Sequence, residues 1–177
     1  MAMFRGDIRS HTLSMDTGLV VILPYDRPCE NQQSPCPTLY LLHGLKENAS
    51  AWVRYTNIER YAREYGLAVV MPEVQRSFYL DMALGLRYFS YVADELPQLC
   101  GKLFHLSAQR DGTYVAGLSM GEYAALKCAL SRPQQYAGCA RFRGAGYLSI
   151  LTGDYLTQYN RRANVSTFGP VIIIQPE

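Results

Sequence analysis

The sequence predicts an α/β chain built on a mostly parallel, open sheet with helices on both faces. Three observations predict it. Short apolar runs alternate with stretches of helical period. The middle runs are apolar on both faces, as strands of a parallel sheet covered on both sides are. Glycine or proline closes most of them. The chain has 177 residues, about one domain's worth. It shows no internal repeat and no linker, so 1–177 reads as a single domain.

Each element has a local reason. Residues 18–24 (GLVVILP) read as a strand ended by proline. Residues 38–43 are a second strand, closed by Gly44. Trp52, Tyr55, Ile58 or Glu59, Ala62 and Tyr65 recur at three-to-four spacing and predict a helix stopped by Gly66. Residues 67–72 are a third strand. Leu84, Tyr88, Tyr91 or Val92, Leu96 and Leu99 make a second helical stripe, which Pro97 is expected to break or kink. Residues 114–118 are a fourth strand, and 122–130 form a helix stopped before Pro133. Residues 171–174 read as a fifth strand. In open α/β sheets ligands bind beyond the carboxyl ends of the strands. That rule points to His43-Gly44-Leu45, to 72–81 and to Ser119.

Composition narrows the function classes. Lys plus Arg number 17 and Asp plus Glu 15, a formal charge of +2. That balance lacks the basic footprint of a nucleic-acid binder. Hydrophobic residues at 49% and charged residues at 18% describe a packed chain. Arg5, Asp7 and Arg9 place charge where a secretory signal would be apolar. No apolar run approaches the ~18 residues of a membrane span. The five cysteines are odd in number and lack a CxxC pair. The expectation is a cytoplasmic protein with reduced thiols, neither nucleic acid nor membrane as partner, and no metal. Cys29 and Cys36 flank a polar loop where they could pair. Asn48 and Asn164 fit the glycosylation pattern, which carries no weight without a secretion signal.

The chemistry-bearing motif is Gly117-Leu118-Ser119-Met120-Gly121, a G-x-S-x-G match. A strand runs up to it and a helix follows, the context of a nucleophile elbow. The turn lifts the Ser119 hydroxyl above the sheet, and the helix N-terminus behind it favours negative charge. The Met120 amide can then meet a developing oxyanion. A second donor should come from the loop after an earlier strand, where the Leu45 amide is the natural candidate. His43 then belongs to the turn and is not a base.

These residues resemble a family. Tyr40-Leu-Leu-His-Gly-Leu45, with Asn48 and Trp52 following, is similar to the oxyanion loop of the esterase D group. That group includes S-formylglutathione hydrolases, tributyrin esterases and related acetyl or feruloyl esterases. Val69-Val-Met-Pro72, then Tyr79-x-Asp81, Gly85, Tyr88, Glu95-Leu-Pro97 and Ala116-Gly-Leu-Ser-Met-Gly121 follow in the family's order. The resemblance implies an α/β-hydrolase three-layer sandwich and a serine carboxylic-ester hydrolase. Its substrates would be small-molecule short-acyl esters or thioesters. Ser119 would be the acylated nucleophile, and the Leu45 and Met120 amides the oxyanion hole. Phe78 and Tyr79 would shape the substrate pocket, while Trp52 packs. No cofactor is implied.

The sequence also departs from that pattern. Glu122-Tyr123 stands where the esterases more often carry a second glycine, and GLSMGEY also resembles malonyl-type acyltransferases. The glycine/glutamine-rich opening segment of those enzymes is lacking, and the His-Gly-Leu loop favours the esterase. Triad order in α/β-hydrolases is Ser, acid, His. The three histidines, His11, His43 and His105, all precede Ser119. Only Glu122, Asp154 and Glu177 follow it as acids. Glu122 reads as favouring a helix N-terminus, Asp154 as part of a turn, and Glu177 is the last residue. His43, Asp81 and Ser119 have the order of chymotrypsin's triad, but His43 would have to leave its turn. His105 reads as a surface or packing residue.

Beyond residue 140 the resemblance fades, and Arg141 and Arg143 fall where small residues are expected. Residues 141–177 form a divergent segment. The expectation is a truncated hydrolase domain that keeps the nucleophile half and has an incomplete C-terminal part. The competing expectation is an inactive remnant or interaction domain. In either case an uncovered sheet edge would favour a homo-oligomer.

Overall fold

The computed structural model describes residues 1–26 and 35–142, and the backbone of Val171–Ile174. Its core is a seven-stranded sheet in the order β1-β2-β4-β3-β5-β6-β7. The strands are β1 (Ala2–Ser10), β2 (Met15–Leu23), β3 (Thr38–Leu42), β4 (Ala68–Pro72), β5 (Thr113–Leu118), β6 (Gly138–Phe142) and β7 (Val171–Ile174). From β4 to β7 every neighbouring pair is parallel. β1 and β2 form an antiparallel hairpin, and β2 joins β4 antiparallel, with Val21 opposite Val70. The predicted strands are present, and the expected α/β-hydrolase sandwich with its mostly parallel sheet is observed.

Alternation along the strands sorts the core into two layers. Leu19, Val21, Tyr40, Leu42, Val70 and Val115 face one side of the sheet. There they meet Leu96 and Cys100 of α4 (Leu96–Phe104) and Ala124, Ala125 and Cys128 of α5 (Met120–Ser131). Val20, Ile22, Leu41, Val69, Met71 and Ala116 face the other. They pack on Trp52 of α1 (Ala51–Tyr55) and on Ile58 and Ala62 of α2 (Ile58–Tyr65). All five residues of β4 are buried, which explains its uninterrupted apolar run.

Several elements differ from the sequence expectation for identifiable reasons. β1 is mostly exposed, Met3 and Phe4 included, because it is the outer strand of a hairpin, so it lacks the continuous apolar run of the others. The stripe from Trp52 to Tyr65 is two helices broken at Thr56 and Asn57, with Gly66 closing the second in a left-handed conformation, φ 61°. The stripe from Leu84 begins later, at α3 (Tyr88–Ser90). Leu84 instead lies at the fully exposed tip of a turn whose base is a bridge between Asp81 and Arg87. The expected disturbance near Pro97 takes the form of a π-helical turn, Tyr91–Glu95, after which Pro97 sits in the first turn of α4. The helical backbone runs on through Glu95 and Leu96, so Pro97 offers no N–H to the Ala93 carbonyl four residues back, which accepts the Gln135 side-chain amide at 3.0 Å instead.

The π turn presents Glu95 to the β1–β2 connection. Its carboxylate accepts the Ser10 hydroxyl at 2.6 Å, the His11 amide at 2.7 Å and the Thr12 amide at 3.1 Å. Burial opposes ionisation of Glu95, but these hydrogen bonds outweigh it and hold the carboxyl below its usual range. Cys29, Asp154, Asn164 and Glu177 lie outside the described residues, as does the suggested Cys29–Cys36 pairing. Among the described residues no helix is long and apolar enough to cross a membrane.

Candidate active site

The chain leaves β3 for β4 and then returns to place β5 on the other side of β3. The carboxyl ends of β3 and β5, at Leu42 and Leu118, therefore meet at a topological switch point. Such crevices hold the ligands of open α/β sheets.

Sterics dictate the turn after β5. Ser119 has φ 55° and ψ −111°, a conformation L-residues rarely adopt. Strain of this kind costs on the order of 1–3 kcal/mol and persists only where surrounding structure enforces it. A Cβ on Gly117 would lie 2.2 Å from the Gly121 carbonyl oxygen. A Cβ on Gly121 would lie 2.3 Å from the Leu42 oxygen and 2.8 Å from the His43 oxygen. Both glycines of the motif are thus required by backbone-to-backbone contact. The second contact also presses the first turn of α5 against the loop that leaves β3. The helix starts at Met120, two residues before the expected start, so the amides following Ser119 belong to its open N-terminal turn.

Side chains from distant positions hold the loop after β3. His43 is 1% exposed and both ring nitrogens are engaged. Nδ1 lies 2.8 Å from the Gly44 carbonyl, and Nε2 accepts the Val74 amide at 3.3 Å. These partners fit a neutral ring protonated at Nδ1. Glu73 Oε1 lies 3.6 Å from Nε2, an electrostatic neighbour beyond hydrogen-bond range. Burial disfavours the Glu73 carboxylate, yet the hydrogen bonds it accepts from the amides of Ala49 and Gln75, at 3.0 and 2.8 Å, outweigh burial and lower its pKa. Gly44 N–H donates to Glu47 Oε2 at 2.8 Å. Trp52 packs as expected, its indole N–H donating to the Leu42 carbonyl at 3.2 Å and its ring lying 5.3 Å from Phe142.

The other sequence candidates fall in different places. Phe78 is half-buried and packs against the core layer that contains α5. Tyr79 is completely buried, and its hydroxyl donates to the His43 carbonyl at 3.1 Å, so its hydroxyl supports the loop beneath the site. Asp81 binds the Ser90 amide and hydroxyl at 3.0 and 2.6 Å and faces Arg87, while the ring of His43 is bonded to Gly44 and Val74. His105 caps the end of α4 in a left-handed conformation, φ 52°.

Glu122 does lie in the first turn of α5, but it is 3% exposed and its carboxylate is bonded to the Arg141 guanidinium, with Nε at 2.9 Å. This pair accounts for an arginine where a small residue was expected. It ties the elbow to β6, and sequence reasoning missed it because the partners are 19 residues apart. Glu47 was also missed, since only the loop's folding brings its carboxylate back onto Gly44.

A serine raised on a strained strand-to-helix turn, at the carboxyl edge of this sheet and against the loop that follows β3, is the nucleophile-elbow arrangement of the α/β-hydrolase class. The comparisons narrow the class. The Esterase family model matches residues 10–153, and the chain belongs to that family. An acetyl esterase from Caldicellulosiruptor saccharolyticus is 31% identical over 168 residues, covering 90% of this chain and 63% of that protein. A substrate-bound structure of fluorophosphonate-binding serine hydrolase F from Staphylococcus aureus superimposes with a TM-score of 0.76 at 37% identity. It covers 86% of this chain and 60% of its own. The S-formylglutathione hydrolase of the same organism, as apoenzyme, gives a TM-score of 0.78 at 29% identity, covering 98% and 78%. The chain spans 63% of the acetyl esterase and 48% of a bovine S-formylglutathione hydrolase.

Proposed function

We propose that this chain carries the nucleophile and oxyanion-binding half of a carboxylic-ester hydrolase acting on short-acyl esters or thioesters. The observation that carries the reading is the strained Ser119 turn, enforced by Gly117 and Gly121 and pressed against the His43–Leu45 loop. The family membership and the acetyl esterase and S-formylglutathione hydrolase relatives support the substrate class.

The chemistry follows from the geometry. Ser119 Oγ attacks the acyl carbonyl, and the negative charge that develops on its oxygen is met by the Met120 and Leu45 amides. The intermediate collapses, expelling an alcohol or thiol and leaving the acyl group on Ser119. Water then releases the acid. The serine proton must pass to a base, and in this class that base is a histidine after the nucleophile. None of residues 120–177 is a histidine, and the ring nitrogens of His43 are spent on Gly44 and Val74. Loss of the triad histidine in subtilisin costs about 10⁶ in kcat. The 177-residue chain should therefore be acylated only slowly, even by reactive esters, and turn over more slowly still.

A second reading, favoured by the engagement of both His43 ring nitrogens within the fold, is a non-catalytic interaction domain that keeps the hydrolase fold. Intact-mass spectrometry after incubation with p-nitrophenyl acetate separates the two. A single acetyl group on the wild type and none on Ser119→Ala is the expected result. Equal acetylation of both proteins contradicts it.

A further inference from the structure

Two consecutive peptides of the loop after β3 are held by side chains. The carbonyl of His43 accepts the Tyr79 hydroxyl at 3.1 Å, while the N–H on the other side of that peptide, at Gly44, donates to Glu47 Oε2 at 2.8 Å. The Gly44 carbonyl then meets His43 Nδ1 at 2.8 Å and the Glu47 amide at 3.2 Å. In a planar trans peptide C=O and N–H point in opposite directions. Fixing the Gly44 carbonyl therefore fixes the direction of the Leu45 N–H.

We propose that Tyr79 and Glu47 are positioning residues that clamp the His43–Gly44 peptide from its two sides and so aim the Leu45 amide at the oxyanion. The proposal rests on the reading of Ser119 and Leu45 given above and adds residues that touch neither substrate nor nucleophile. The chain's own strain supports it. Phe78 and Tyr79 both adopt positive φ, 52° and 53°, which turns Tyr79 inward until its ring centroid lies 6.0 Å from that of His43. Successive left-handed residues are costly for L-amino acids and persist where tertiary contacts hold them. Glu47 closes the clamp locally. Its carboxylate oxygen would lie 3.1 Å from a Cβ placed on Gly44, and the Leu118 carbonyl 3.5 Å from the same point. Gly44 thus lies beside both the Glu47 carboxylate and the carbonyl that ends the elbow strand.

The test uses the 177-residue chain with Tyr79→Phe, Glu47→Ala and Glu47→Gln, and two readouts. Amide hydrogen exchange by NMR follows Gly44, with the β5 amides as the internal reference for an intact fold. Labelling of Ser119 by a fluorophosphonate follows the oxyanion hole. Removing a whole oxyanion donor costs about 10²–10³ in rate, so mis-aiming one should slow labelling about tenfold. Glu47→Ala should accelerate Gly44 exchange by roughly tenfold or more and slow labelling, and Glu47→Gln, which retains an accepting oxygen, should restore both. Tyr79→Phe, which keeps the ring and removes one hydroxyl, should slow labelling without changing β5 exchange. Labelling rates within about twofold of wild type in all three variants would overturn the proposal, as would unchanged Gly44 exchange in Glu47→Ala. If the wild type is not labelled, the reading of Ser119 fails by itself, and Gly44 exchange alone decides whether the clamp exists.

Discussion

The elbow at 117–122 and the loop at 43–47 are neighbours in space, yet different forces hold them. The elbow is fixed by exclusion, since any side chain at Gly117 or Gly121 would collide with backbone that cannot move. The loop is fixed by attraction, through hydrogen bonds donated by Tyr79 and Val74 and one accepted by the Glu47 carboxylate. The lesson is that the nucleophile's position is written locally and tolerates almost no substitution. The oxyanion donor's position is assembled from remote residues and can be loosened in steps.

Glycine substitution breaks this comparison most sharply. Gly121→Ala places a carbon 2.3 Å from the Leu42 oxygen, and Gly117→Ala places one 2.2 Å from the Gly121 oxygen. Each should cost about 4 kcal/mol or more, enough to abolish folding or to rearrange the turn, as read by thermal denaturation. Gly44→Ala puts the new carbon 3.1 Å from a Glu47 oxygen, the far end of a flexible side chain. Its cost should stay at about 1 kcal/mol or below. Equal losses at 44 and 121 would erase the distinction between the two regions.

The Glu122–Arg141 pair gives the next effect. Glu122→Ala leaves a partly buried guanidinium without its carboxylate, and chemical denaturation should show a loss of about 2–3 kcal/mol. Exchanging both partners for apolar residues of similar volume should recover much of that loss. If the single variant is neutral, the pair does not fasten the elbow to β6.

The smallest effect is a pH dependence. Glu73 and Glu95 both have pKa values lowered by their hydrogen bonds against the opposing effect of burial. A carboxyl whose folded pKa lies below its unfolded value stabilises the fold above the unfolded pKa. That contribution is lost as pH falls through the lowered folded value. Urea midpoints should therefore drop below the ordinary carboxylate range, and Glu95→Gln should flatten part of the slope. A midpoint that rises on acidification would contradict the assignment.

This division also explains what could be read from the residues alone. Strands 38–42, 68–72 and 113–118 were legible because burial on both faces writes an apolar run. The Ser119 turn was legible because steric exclusion leaves only glycine at two fixed offsets. β1 was not, because an exposed hairpin edge needs no apolar pattern. Leu84 matched a helical period by coincidence and stands at a turn tip. Tyr79 suggested a pocket wall because an aromatic beside a site looks the same in sequence whether it faces substrate or core. The roles of Glu47, Glu122 and Arg141 depend on contacts that exist only after folding.

The most direct test of the central claim is fluorophosphonate labelling of the purified chain followed by peptide mapping. The account predicts one covalent adduct, located on Ser119 and absent from Ser119→Ala. An unlabelled wild type, or an adduct that persists in the variant, would contradict it.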